Sequence, residues 1–198
     1  MKKPFIIITS LLILSTIFYC GLYIKNKRDY IGFNYNLLQS GDIIFTRGIS
    51  MKSFVVLLLN RSTDRYSHCG VIFREKDKYF IIHSTPTPID KKNGRIVREP
   101  LDDFFSFNNI TLTSIYRVDN GHKKYIDSSL CIIKHFLQDK IAFDDDFQLT
   151  NQKLYCTELI WLAYKNAGLD LTGKDYFNKI IYPSDLINSK YLMHIYTF

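Results

Sequence analysis

The sequence predicts an α+β fold in which an antiparallel sheet packs against helices. Short runs rich in Val, Ile, Phe, Tyr and Thr recur at 42–46, 69–74, 78–84, 95–98 and 111–118 and read as strands. Two of them are separated only by the charged tip from Glu75 to Lys78, the mark of an antiparallel hairpin. Residues 125–137 and 155–167 instead carry apolar side chains at helical spacing.

Taken along the chain, the first element is an apolar run at 5–24, twenty residues without a charge and flanked by Lys2, Lys3, Lys25, Lys27 and Arg28. At 1.5 Å per residue it is long enough to cross roughly 30 Å of hydrocarbon. The expectation is therefore a single N-terminal transmembrane helix, with 1–28 a membrane anchor or signal-anchor segment and 29–198 one folded domain. A cleaved signal peptide fits less well, because no alanine precedes Ala142 to supply a small-residue cleavage site. Cys20 is read as a residue of the span, since bulky Tyr19 stands where a lipid-attachment signal needs a small side chain. The basic residues balance on the two sides and do not set the orientation. The localisation expected is membrane, single-pass, with the domain outside the cytoplasm.

The formal charge of +7 follows from that flank, because its five basic residues account for all but +2. Nucleic-acid binding, which needs a cationic footprint on the folded part, is not expected. Cys20, Cys69, Cys131 and Cys156 show neither CxxC spacing nor the density of a disulfide scaffold. A polar linker at 25–36 leads to the domain.

The strand at 42–46 follows the turn pair Ser40-Gly41, and Ser50 can cap a helix over 50–60 that carries Phe54, Leu57 and Leu58. In the hairpin, a loop centred on Lys76-Asp77 pairs Arg74 with Tyr79, Ile72 with Ile81 and Gly70 with His83. After the strand at 95–98, residues 101–105 read as a short helix. Residues 183–186 form a last helical turn opened by Pro183, and 191–196 a last strand.

The chemistry is most legible at 155–167, where Cys156, Leu159, Ile160, Ala163 and Ala167 form a stripe and Gly168 closes the helix. Cys156 sits in the first turn, where unpaired N–H groups and the macrodipole favour a thiolate. The hairpin register puts His68 diagonal to His83 across side-chain-free Gly70, about 7 to 8 Å between Cβ atoms and within reach of two imidazoles. Thiol, imidazole and an orienting polar group are the minimum parts of a covalent cysteine hydrolase. Each of the three residues taken alone is more simply a buried structural side chain. A metal site on His68, Cys69 and His83 is not expected, because neighbouring strand residues face opposite ways. Asp144-Asp145-Asp146 lacks the alternation of a calcium loop and reads as a solvated turn. Asp42 reads as a turn residue at the start of its strand, Tyr66 and Tyr155 as core, Glu158 as a first-turn acid and Asp170 as surface. His122, His135, His194 and Cys131 default to structural roles.

Four landmarks carry a family resemblance: Gly41-Asp42-Ile43-Ile44-Phe45, then Tyr66-Ser67-His68-Cys69-Gly70-Val71-Ile72, then Phe143-Asp144 with Phe147, and Tyr155-Cys156-Thr157-Glu158-Leu159 opening a helix. Together they resemble the permuted papain-like amidases of the YiiX type, a rearranged branch of the NlpC superfamily related to lecithin:retinol acyltransferase-like enzymes. The resemblance implies Cys156 as nucleophile, His68 as base and a papain-like fold in permuted order, with His68 preceding Cys156 by 88 residues; no cofactor is expected. It departs from the bacterial pattern at His83, where such amidases often carry an acid and the acyltransferase-like relatives a histidine. Three functions follow in order: a membrane-anchored cysteine amidase or peptidase acting through a thioester, with cell-wall peptide or amino-acid amides as candidate substrates; a lipid acyltransferase or thioesterase using the same residues; and a catalytically silent binding module.

Overall fold

The computed structural model describes residues 34–48, 66–107, 110–150, 152–173 and 180–198. Residues 35–198 form one compact unit. Its strands are β1 (Ile43–Gly48), β2 (His68–Glu75), β3 (Lys78–Thr85), β4 (Arg95–Pro100), β5 (Ile110–Val118) and β6 (Leu192–Thr197). Among the described residues four α-helices accompany them: α1 (Leu101–Phe107), α2 (Lys124–Gln138), α3 (Cys156–Asn166) and α4 (Pro183–Ile187). The strands make one six-stranded antiparallel sheet in the order β4-β3-β2-β1-β5-β6.

The central strands are buried on both faces, which is why they read as unbroken apolar runs rather than alternating ones. On one face Ile43, Phe45, Val71, Phe73, Ile82 and Ile96 join the main core with α2 and α3. On the other, Ile44, Ile72 and Ile81 are buried, as are Leu101, Phe104 and Phe105 of α1. The α3 helix is buried over eight consecutive residues, Thr157 to Tyr164, and so is a central helix rather than one with a single apolar stripe. Its C-terminus is closed by the Gly168 N–H on the Lys165 carbonyl and the Leu169 N–H on that of Tyr164, with Gly168 at φ +100°.

Short hydrogen bonds fix the parts that matter for the site. Asp42, 1% exposed, is not a simple turn residue: its carboxylate takes the Arg117 guanidinium, with Nε to Oδ1 at 2.6 Å and Nη2 to Oδ2 at 2.8 Å, tying β1 to β5. Gly41 precedes it at φ +92°, where a Cβ would lie 2.3 Å from Ile126 Cγ2.

No helix among the described residues is long and apolar enough to cross a membrane. The expected transmembrane helix, and with it the single-pass membrane localisation and the extracytoplasmic domain, are corrected on that finding. Charge-free length shows that a segment could span hydrocarbon and does not show that it does. The run at 5–24 and the helix expected over 50–60 lie outside the described residues.

Candidate active site

The β2–β3 hairpin turns on Lys76-Asp77, and its pairs run from Glu75↔Lys78 through Ile72↔Ile81 to Val71↔Ile82. There the ladder stops, while β3 goes on pairing with β4 as far as Thr85↔Arg95. The first residues of β2 are thus released from β3. Gly70 still faces His83 closely: a Cβ on it would be 3.0 Å from His83 Cβ and 2.6 Å from Ile81 Cγ1. With no side chain between them, His68 Nε2 lies 2.7 Å from His83 Nδ1.

Glu99, which the sequence reading did not single out, continues this line. Antiparallel pairing sets Glu99 opposite Ile81, hence on the face of His83, and its Oε2 is 2.9 Å from His83 Nε2. Its Oε1 accepts the Ile89 N–H at 2.9 Å. Phe104 of α1 lies against both imidazoles, with ring centroids 6.1 Å from His68 and 5.1 Å from His83. This apolar lid helps leave His83 only 1% exposed.

Cys156 comes to this line from the other side of the sheet. The chain ahead of α3 is pinned by the Ser84 hydroxyl donating to the Leu154 carbonyl and by the Leu154 N–H on Ala142. Just beyond, Tyr155 Oη accepts the Ile181 N–H, and the Thr157 hydroxyl donates to the Ile181 carbonyl. Cys156 is the first helical residue, and the side chain of Tyr155 at the cap position makes no capping hydrogen bond. The first-turn N–H groups therefore keep their positive field for an anion. The sulfur lies close enough to Cys69 and His68 for both to act on its ionisation. Residues 70 and 72 turn their backbone toward β1, so the Cys69 N–H points to the β3 side, where the opened ladder leaves it for sulfur.

These contacts set the ionisation. The Cys69 hydrogen bond, joined by the charge and hydrogen bond of His68, holds the half-buried Cys156 thiol well below its usual range against the opposing effect of burial. Burial, with Cys156 beside it, drives the Cys69 thiol up. Burial also holds His83 below the ordinary histidine value, so that ring is neutral near pH 7. Burial would raise the Glu99 carboxyl, but the hydrogen bond and charge of His83 and the Ile89 N–H keep it below the ordinary carboxylate value.

The arrangement is a low-pKa thiol at a helix start, an imidazole in contact with it, and a second imidazole backed by a carboxylate. A family model described as permuted papain-like amidase enzyme, YaeF/YiiX, C92 family, matches residues 37–195. The chain belongs to that family. It is similar to an Escherichia coli K12 protein described as uncharacterized protein YiiX, 26% identical over 130 residues. That match spans 65% of this chain and 58% of the relative, less than two thirds of its length. A solved structure described as metalloprotein yiiX from E. coli O157:H7 shares the fold, with a TM-score of 0.65 at 19% identity, over 81% of this chain and 97% of that one. The description of the C92 family is of an amidase enzyme.

Several residues stand elsewhere than the amidase sequence suggested. Cys69 turns into the main core, away from the histidines as expected, and there it also acts on the ionisation of Cys156. No pattern in the sequence announces this, because it depends on where β2 and β3 part. Glu99 could have been noticed as the acid of an otherwise apolar and basic strand. Asp144 is buried and organises its turn, accepting the N–H groups of Asp146 and Gln148, and is not solvated. Asp170 collects the Trp161 indole, the Thr172 N–H and hydroxyl and the Gly173 N–H, and is not a bare surface acid. Glu158 is fully buried, so the helix dipole alone does not explain it. Tyr66 and Tyr155 are core, as expected.

Proposed function

We propose that this chain hydrolyses peptide or amino-acid amides through a thioester on Cys156, with His68 as base and His83 orienting it. The observation that supports the reading is the place of Cys156: half-buried as the first residue of α3, beside His68, which with Cys69 pushes its pKa down. His68 takes the thiol proton, and the thiolate attacks the amide carbonyl. The tetrahedral oxyanion is held by N–H groups of the first turn, the Cys156 N–H foremost. The leaving amine takes the proton from His68, and water, deprotonated by the same ring, releases the acid.

The solved relative is described as a metalloprotein. Among the described residues of this chain, no group of three His, Cys, Asp or Glu side chains is disposed to hold a metal ion. The ring nitrogens of His68 and His83 that face each other are engaged together, so the residues do not fit that role and no step uses a metal.

The test is turnover of a panel of peptide amides and ester lipids by the full chain and by Cys156→Ala. Amide hydrolysis that disappears in the variant supports the reading. Amide hydrolysis that persists dismisses Cys156, and turnover of ester lipids alone makes the chain an acyltransferase or thioesterase instead.

A further inference from the structure

We propose that Glu99 is a positioning residue that determines, through two imidazole rings, which nitrogen of His68 is free to receive the Cys156 proton. The inference rests on the reading of Cys156 and His68 just given and adds a residue to it. An ionised carboxylate only accepts hydrogen bonds. Glu99 Oε2, 2.9 Å from His83 Nε2, therefore requires that nitrogen to carry a hydrogen. In a neutral imidazole the other nitrogen is then a bare acceptor, so His83 Nδ1 must receive a hydrogen from His68 Nε2, 2.7 Å away. His68 is left with a lone pair on Nδ1, the nitrogen that can take a proton from the thiol. One charge at the buried end of the line fixes the direction of every hydrogen bond in it.

Position and surroundings favour this use. Glu99 is 6% exposed, and the Ile89 N–H holds its second oxygen, so the carboxylate cannot swing away without leaving that donor unpaired. The titratable groups facing the two rings are Cys156 from α3, His68 and His83 themselves from β2 and β3, and Glu99 from β4. On the fourth side α1 presents apolar Phe104, with Asp102 and Asp103 turned to solvent. In the proton transfer the Cys156 S–H bond breaks and a His68 Nδ1–H bond forms. His83 keeps its hydrogen on Nε2 and Glu99 stays ionised throughout, so the imidazolium is stabilised by a carboxylate one ring away. This restores what an imidazole at position 83 lacks, since a neutral ring by itself stabilises an adjacent imidazolium less than an acid does.

A glutamine at position 99 keeps the shape and loses the direction. Its amide can present either oxygen or NH2 to His83 Nε2, and the second choice reverses both rings and points a His68 N–H at the thiol.

Two measurements test this on the full chain. In the wild type, 15N NMR of the histidine rings near pH 7.5 should find a hydrogen on Nε2 of both His68 and His83, with His83 Nδ1 bare, a readout that does not depend on any variant folding. In Glu99→Gln, iodoacetamide labelling of Cys156 followed across pH should have its acid limb raised by about one unit, a roughly tenfold slower reaction near pH 6, with Glu99→Asp closer to wild type. Finding either ring as the Nδ1–H tautomer overturns the proposal. So does a Glu99→Gln profile superimposable on wild type while Cys156 still reacts faster than exposed Cys131. If wild-type Cys156 reacts no faster than Cys131, the underlying reading of the site fails, and the role of Glu99 falls with it.

Discussion

Replacing Gly70 with alanine adds one methyl group at the place where the two catalytic rings are proposed to meet, and changes no charge. Its Cβ would stand 2.6 Å from both Cδ1 and Cγ1 of Ile81 and 3.0 Å from Cβ of His83, where ordinary contact begins near 3.4 Å. The Ile81 side chain would have to retreat by about 0.8 Å, and it is wholly buried. Overpacking of this kind costs about 1–3 kcal/mol, a few degrees in Tm for a chain of this size. Ile81 and His83 share a strand and a face, so the displacement is carried to the ring. The His68–His83 contact is 2.7 Å, and about 0.5 Å of movement takes it to the edge of hydrogen-bonding range. Misplacement on this scale costs reactions of positioned groups about tenfold to a hundredfold. The assay needs no substrate: iodoacetamide labelling is followed peptide by peptide by mass spectrometry, with exposed Cys131 as internal standard, alongside a urea melt. Cys156 should lose most of its rate advantage over Cys131 while the melt shifts modestly. A variant that is destabilised as expected but labels Cys156 at the wild-type rate would refute the argument that close approach over Gly70 activates the thiol.

Two further outcomes are expected. Cys69→Ala removes a thiol donor from the Cys156 sulfur but leaves the Cys69 N–H, so the acid limb of Cys156 labelling should move up by about one pH unit without being abolished; an unmoved limb would show that the Cys69 thiol does not support the thiolate. Stability should fall on the acid side, because His83 and Glu99 both have folded-state values below their ordinary ones. The unfolded chain then takes up these protons at higher pH than the folded chain, so their contribution is complete above about pH 6.5 and declines as pH falls, His83 first and Glu99 further down. The urea midpoint should drop between pH 7 and 5, and less so in His83→Gln; a midpoint flat over that interval in the wild type would contradict the buried neutral ring.

Much of the fold could be read along the chain because it is local. The hairpin register followed from a two-residue tip and a period of two, and the observed pairs Ile72↔Ile81 and Arg74↔Tyr79 are the ones the spacing gives. The end of α3 followed from Gly168, since few other residues take its φ of +100° without strain. The seclusion of α3 was not readable. An apolar stripe shows which face is certain to be covered, but Thr157 and Glu158 are buried as well, on sides that depend on what other segments bring.

The amino-acid order by itself determined the places of β1 to β6 and of α1 to α4, the diagonal of His68 and His83 across Gly70, and the helix-start position of Cys156. Tertiary structure alone decided that β2 and β3 part beyond Val71↔Ile82, that Cys69 and His68 come beside Cys156, and that β4 aligns Glu99 behind His83. Local periodicity sets the face of a strand on which a side chain lies. Which groups meet across strands joined by a loop is set by the packing of the whole sheet between its helices.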